Sequence, residues 1–385
     1  MTRAKCIART VVMALTPDSR YVHDVVALSK ADYNRSMTTP LLFTALLFTP
    51  QSKVAKPYDL ITPSTIQAHL RFLSSDLLEG RGTPSKGLDI AAEYIAAQFQ
   101  LSGLKTPKDA LFQIDPSMQL PTAVDGYFQT SEFENRRTKA KAPVRNVIGV
   151  ISGTDPKLKG TYVLVTAHYD HLGSKEGEGD TIFNGANDDG SGTVAVIESA
   201  RALALSKPKR TIVFMCFWGE EAGLQGSRHY VQNPVFPLKD TIVNINIEQI
   251  GRTDDSEGPR VSEFNLTGFD FTDLSVYMTK GAQPFGVKVT MHPKFSAPYF
   301  NASDNAAFAN AGVPANTIST AYQFPDYHAV GDHWDKIDYE NMAQITRSIG
   351  MGAILVANSG QPVQWNKSND KTKRYVEAWK KLQEN

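Results

Sequence analysis

Two glutamates stand side by side at Glu220 and Glu221, directly after the apolar run Thr211–Trp218 in "RTIVFMCFWGEEAGLQGS". Adjacent like charges disfavour each other's ionisation, so something must hold them there. One reading is a solvated helix start, because acidic residues in a first turn complement the helix dipole. The other is a shared cation. The ends of neighbouring apolar runs favour the cation. "TYVLVTA" is followed by His168, Asp170 and His171, and "NGANDDGSG" carries Asp188 and Asp189. "TIVNINI" runs into Glu248, and "VPANTIST" leads to "FPDYHAVGDHWDKID" with His328. Imidazole and carboxylate donors without cysteine suit zinc, and also manganese or cobalt. Two metals need a bridging carboxylate and open positions for water. At a strand-to-helix turn, neighbours diverge, so one glutamate can be a ligand while the other stays free as a base.

The elements that must position these residues follow from the hydrophobic pattern. From residue 160 onward, continuous apolar runs alternate with helical segments. That pattern predicts an α/β fold, a mostly parallel mixed sheet flanked by helices on both faces. In such open sheets, sites collect at the carboxyl ends of strands. "TPSTIQAHLRFLSSD" has Ile66, Leu70 and Leu73 at helical spacing, and a helix is expected from near Ser85 to Gly103. "YFQTSEFE" and "NVIGVIS" read as strands joined by a basic turn. "GSGTVAVIESARALAL", "EEAGLQGSRHYVQ", "TDLSVYMTKGAQ", "SDNAAFANAG" and "DYENMAQITRSIGMGAILVAN" read as helices, with short strands near 287–291 and at "VPANTIST". "KTKRYVEAWKKLQEN" is expected to form a basic amphipathic tail helix. Along "NINIEQ", Asn244, Asn246 and Glu248 share one strand face, which favours Glu248 over Gln249 as the donor.

Composition removes several classes. Lys+Arg and Asp+Glu are both 40, so no global field favours nucleic acid or an anionic membrane. No apolar run is long enough to span a bilayer. Cys6 and Cys216 alone support neither a disulfide framework nor a thiolate metal site. Residues 1–56 read as a leader rather than part of the fold. Within it, residues 37–55 carry a short apolar core, Leu41–Phe48, followed by small residues, which resembles a secretory signal. Translation from Met37 and export to the periplasm or outside the cell are expected. Residues 57–385 are expected to form a single domain, with 111–145 too short to hold an inserted lid.

The motifs "AHYDHLG", "NGANDDGSG", "WGEEAGLQGS", "NIEQIG" and "YHAVGDHWDKID" resemble, in order and spacing, the co-catalytic di-zinc aminopeptidases. These are the relatives of bacterial secreted leucyl aminopeptidases and glutamate carboxypeptidase II. The resemblance covers roughly residues 60–360. It implies that His168 and Glu248 complete one metal, Glu221 and His328 the other, and Asp188 bridges them. It implies Glu220 as general base, Asp170 as the carboxylate that takes the other N–H of His168, and Tyr327 as a group that steadies the oxyanion. A cis peptide between Asp188 and Asp189 is also implied. The substrate would be a peptide with a free N-terminus. Two positions depart from the family: Glu248 stands where Asp is usual, and Asn305 where many relatives have His.

Other residues near the motifs receive plainer readings. His171 and His333 match no ligand position and are assigned to the pocket wall or surface. His229 is read as an ordinary helix residue and Arg252 as a surface ion pair. Asp332 and Asp335 either support His328 or cap a helix near Asp338. A carboxypeptidase or dipeptidase on the same scaffold would need cations such as Arg252 and Arg260 to converge on a terminal carboxylate. Single-zinc glutaminyl cyclase chemistry would use fewer ligands, and a non-catalytic receptor relative would have lost them.

Overall fold

The computed structural model describes residues 57–384, apart from 116, 118–119, 121–122 and 136–137. The expected leader and signal-like segment lie outside the described residues. Nine strands form one sheet: β1 (Val124–Asp125), β2 (Phe128–Glu134), β3 (Lys141–Ile151), β4 (Tyr162–His168), β5 (Thr211–Phe217), β6 (Thr241–Ile247), β7 (Glu263–Leu266), β8 (Lys288–Thr290) and β9 (Ala315–Ser319). Their spatial order is β1-β2-β3-β5-β4-β6-β9-β7-β8. The central run β5-β4-β6-β9 is parallel. Both flanks join it through antiparallel pairs, β3 with β5 and β7 with β9. The sheet is therefore mixed, with its parallel part at the centre.

Every residue of β4, β5, β6 and β9 is buried; β4 and β5 accordingly read as near-continuous apolar runs, while β6 and β9 carry Asn244, Asn246 and Asn316, whose buried amides are hydrogen-bonded. The side chains still alternate between two packed layers. Val163, Val165 and Ala167 join one core, and Tyr162 and Leu164 join the other. The first layer receives α1 (Pro63–Leu73), α2 (Lys86–Leu101), α4 (Gly192–Leu203), α6 (Leu274–Ala282) and α8 (Tyr339–Asn358). The second receives α3 (Pro107–Ile114), α5 (Gln225–Gln232), α7 (Asn305–Asn310) and the tail helix α9 (Lys373–Glu384). Each fully buried Val, Leu, Ile or Phe contributes about 1.5–3 kcal/mol, so the two cores hold the helices against both faces of the sheet.

Local chemistry sets the helix ends. Thr62 forms a capping box with Thr65 at α1, and Ser85 caps α2 where the sequence places its start. Asp338 caps α8 by accepting the Asn341 N–H at 3.0 Å. One helix boundary differs from expectation. The segment "EEAGLQGSRHYVQ" is helical only from Gln225; residues 219–224 form an irregular turn. Gly219, Gly223 and Leu224 all have positive φ there, which a helix interior does not tolerate. Glu220 and Glu221 therefore lie on a turn and not in a first helical turn. Strand β7 was not anticipated; its short sequence, "EFNL", carries no boundary residues that separate it from a loop.

A carboxylate and imidazole centre at the sheet edge

Parallel strands carry their carboxyl ends to a common edge, and the candidate residues meet there. His168 is the last residue of β4, Glu248 follows β6, and Glu220 and Glu221 sit on the turn after β5. Asp188 comes from the turn before α4, and His328 from the loop after β9. His168 Nε2 is 3.4 Å from Asp188 Oδ1 and 3.5 Å from Glu248 Oε1. His328 Nε2 is 3.1 Å from Asp188 Oδ2 and 3.5 Å from Glu221 Oε1. The two oxygens of Asp188 thus face two different donor groups.

These spacings fit a divalent cation better than hydrogen bonds. Metal–donor distances of about 2.0–2.2 Å at tetrahedral angles separate neighbouring donor atoms by roughly 3.3 Å. His168 Nε2 and Glu221 Oε1 are buried and have no hydrogen-bond partner. Orphans of this kind are rare in native interiors and mark an absent cation, water or proton. The electrostatics point the same way. Burial would depress the His168 imidazole, but Glu220, Asp170, Asp188 and Glu248 raise it well above its usual value. Asp188 and Glu221 raise His328 to about 10. Burial opposes ionisation of Asp188, yet His168 and His328 outweigh it and hold the carboxyl low. A site that pulls protons onto its imidazoles this strongly is built for positive charge, and its N/O donor set suits zinc.

Several further groups hold this edge together; of them, sequence patterns single out only Asp189. Arg81 is 1% exposed and donates from Nε to Tyr169 O, from Nη1 to Leu73 O and Asn184 O, and from Nη2 to Gly185 O. Its charge lies among Asp170, Asp332, Asp188 and Asp189 and offsets part of their mutual repulsion. Asp189 accepts N–H groups from His168, Gly192 and Gln249, tying β4, α4 and the end of β6 to one carboxylate. A Cβ at Gly192 would lie 2.4 Å from the Asp189 carboxylate, so only glycine fits. The Asp188–Asp189 peptide is cis. Asp304 is fully buried beneath the site, with Ser227 donating to Oδ1 and Oδ2 unpaired, and burial raises it to about 7. In "SDNAAF" it looks like a helix cap, and nothing local separates that role from a buried one.

Other expectations fare variously. The carboxylate of Asp170 takes the Glu220 N–H at 3.1 Å and the Thr83 hydroxyl at 3.1 Å. His168 Nδ1 lies nearer the Asp170 main-chain oxygen, at 3.2 Å, than its Oδ1, at 3.5 Å. Asp170 therefore anchors the Glu220 turn as well as the imidazole. The ring of Tyr327 stacks on His328 with centroids 4.0 Å apart. Asp332 serves neither expected purpose; it accepts the N–H groups of Asn187 and Asp188 at 3.0 Å and so pins the Asp188 turn. His171, expected at the pocket wall or surface, is 1% exposed and lies beside Glu221. His333 pairs with Asp180 at the surface, and His229 contacts Ser131 from α5. Asn305 donates to Phe300 O and accepts from Thr317, a closed role away from the donor cluster.

A cavity of about 450 Å³ opens over the cluster. Asp188, Glu220, Glu221, Glu248, Tyr327 and His328 line one side, and Leu224, Tyr299 and Tyr322 supply apolar walls opposite. Among the described residues, no Lys or Arg lines it. Arg252 is not a surface pair: its side chain is 6% exposed and locked to Asp254 and Asp326. Arg260 is held by Glu263.

The fold and site define an α/β protein with a cluster of carboxylate and imidazole donors, spaced as a divalent cation would need them, at the carboxyl edge of a mixed sheet. A family model, peptidase family M28, matches residues 146–352, more than half of the chain, and the chain belongs to that family. It is 29% identical over 240 residues to aminopeptidase YwaD of Bacillus subtilis, covering 61% of this chain and 48% of that protein. The chain thus spans about half the length of the first curated relatives it matches. Among solved structures, the LapA aminopeptidase of Legionella pneumophila aligns at 20% identity with a TM-score of 0.57, covering 79% of this chain and 74% of that one. A glutaminyl cyclase of Bacteroides thetaiotaomicron aligns at 16% identity with a TM-score of 0.55, covering 76% and 97%. At these identities, the two likenesses establish the shared fold.

Proposed function

We propose that this chain is a zinc aminopeptidase that removes N-terminal residues from peptides. One zinc ion would be held by His168, Asp188 and Glu248, and the second by Glu221, His328 and Asp188. The observation that carries the reading is the charge of the cavity. Four carboxylates and a histidine line it and, among the described residues, no Lys or Arg does. A substrate's free ammonium group is at home there, whereas a terminal carboxylate has no cation to meet. The arginines that a carboxypeptidase would need are tied up in Arg252–Asp254, Arg252–Asp326 and Arg260–Glu263.

Zinc at this centre supplies a lowered water pKa and polarisation of the scissile carbonyl. The protein's own residues do the rest. Glu220 lines the cavity, and burial with nearby Glu248, Asp304 and Glu221 raises its carboxyl well above the ordinary range, against the pull of His168. Such a group takes a proton from the attacking water and returns it to the leaving amine. Asp170 fixes the Glu220 main chain. Burial and the surrounding carboxylates raise the Tyr327 phenol, so it stays protonated and can donate to the developing oxyanion. Export of the chain and a single domain over 57–385 belong to the same reading.

The test is a panel of aminoacyl 4-nitroanilides beside N-acetylated controls, with zinc counted per chain. Cleavage only of free-amine substrates at two ions per chain is the expected result. Equal cleavage of blocked substrates, release of C-terminal residues, or cyclisation of N-terminal glutamine at one ion per chain would overturn it.

A further inference from the structure

We propose that His171 is an additional protein ligand at the Glu221–His328 end of the centre, donating through Nδ1. The inference rests on reading the cluster as a metal centre. His171 Nδ1 lies 2.9 Å from Glu221 Oε1. At that distance an aligned pair would be a hydrogen bond, yet neither atom has a hydrogen-bond partner, and both are buried. Buried polar atoms almost always find partners. Two orphans at contact distance, with Asp188 completing the group, therefore face a common third party. Metal–donor bonds of about 2.05 Å at a right angle put donor atoms roughly 2.9 Å apart. The 3.1–3.5 Å spacings around His328 are wider, between right-angle and tetrahedral edges or just beyond. Together these edges describe a position with more than four donors, two imidazoles and two carboxylates from the protein plus water.

The ring is held where a ligand needs to be. The His171 N–H donates to Arg81 O, so the same buried arginine segment that spans the turns also fixes this residue. Gly185, at φ 57°, packs close to both the imidazole and the Asp188 main chain: a Cβ there would lie 2.5 Å from His171 Cγ and 2.3 Å from Asp188 O. On its other side the ring meets His328 edge-on, with centroids 5.9 Å apart. His171 Nε2 has no partner either, so without a metal at Nδ1 the whole imidazole is an uncompensated buried polar group.

Two measurements on the full-length protein test this. X-ray absorption on the fully zinc-loaded wild type counts imidazoles. Three over two ions are expected, from His168, His328 and His171; two overturn the assignment while leaving the metal centre intact. Zinc titration against a chromogenic chelator compares wild type with His171→Ala. The variant should keep one ion at wild-type affinity and weaken the second on the order of a hundredfold, the upper end of the ten- to hundredfold usual for outer residues. Wild-type affinity for both ions in His171→Ala overturns the proposal. So does weakened affinity with two imidazoles in the wild type, because His171 would then act only on Glu221. The wild-type count decides the matter even if a variant fails to fold. A wild type that binds no zinc removes the metal-centre reading itself.

Discussion

Replacing Glu220 by Gln separates the two neighbouring glutamates. Glu221 Oε1 lies within 3.5 Å of His328 Nε2 and 2.9 Å of His171 Nδ1, inside the donor cluster. Among the described residues, no ion pair at such a distance joins Glu220 to either histidine, although it lines the cavity and its main chain is anchored by Asp170. Gln keeps the shape and the main-chain bond and removes only the proton acceptor. General base catalysis contributes about 10²–10⁴ in rate. At about 1.36 kcal/mol per decade, the activation free energy for kcat should rise by about 2.7–5.4 kcal/mol. KM should change little, and both ions should remain. Glu221→Gln should instead weaken metal binding, since it removes a charge the two imidazoles face. The assay is elemental analysis beside steady-state kinetics on a leucyl chromogenic substrate. Near-normal turnover in Glu220→Gln, or metal loss there with full retention in Glu221→Gln, would refute the division of roles.

Arg81→Met should destabilise the fold by more than about 4 kcal/mol, because four carbonyls lose their donor and the acidic turns lose a buried cation; Arg81→Lys should not rescue the urea midpoint, as one ammonium cannot span that fork. Glu198 is buried, which alone would raise its carboxyl, but His69, Arg201 and Thr65 outweigh burial and bring it from 4.5 to about 2. Its folded value is depressed, so its stabilisation is complete above about pH 4.5 and disappears as pH falls toward 2; at neutral pH it is worth about 3 kcal/mol. Denaturation of wild type and Glu198→Gln should show a gap at pH 7 that narrows below about pH 4.5 and closes only as pH falls to about 2. Chelation should lower the thermal midpoint, each ion at a thousandfold its Kd adding about 4 kcal/mol, and an unchanged midpoint would argue against a metal centre. Asp332→Ala frees the N–H groups of Asn187 and Asp188 and should weaken zinc binding in a chelator titration without touching a donor atom.

Much of this protein is legible along the chain because the determining interactions are local or periodic. Runs dominated by apolar, β-branched residues at 162–168, 211–217 and 241–247 point to a sheet covered on both faces, and such a sheet delivers its strand ends to one edge. Parity along Asn244, Asn246 and Glu248 selects the glutamate, and the order of the five motifs carries the family. The start of α5 was misplaced because a turn with several positive-φ residues looks helical in composition. Arg81, His171, Asp304 and Asp332 are of another kind. Arg81 is one residue among 40 basic residues with no pattern around it, and His171 lies in a motif that does not mark it as a donor. Their roles arise only where the turns after residues 73, 169 and 184 converge on one guanidinium, and where the His171 imidazole comes within 2.9 Å of Glu221. Periodicity reports which face of an element is buried. Which loop groups meet over the edge depends on distances between segments a hundred residues apart, and those exist only once the chain has folded.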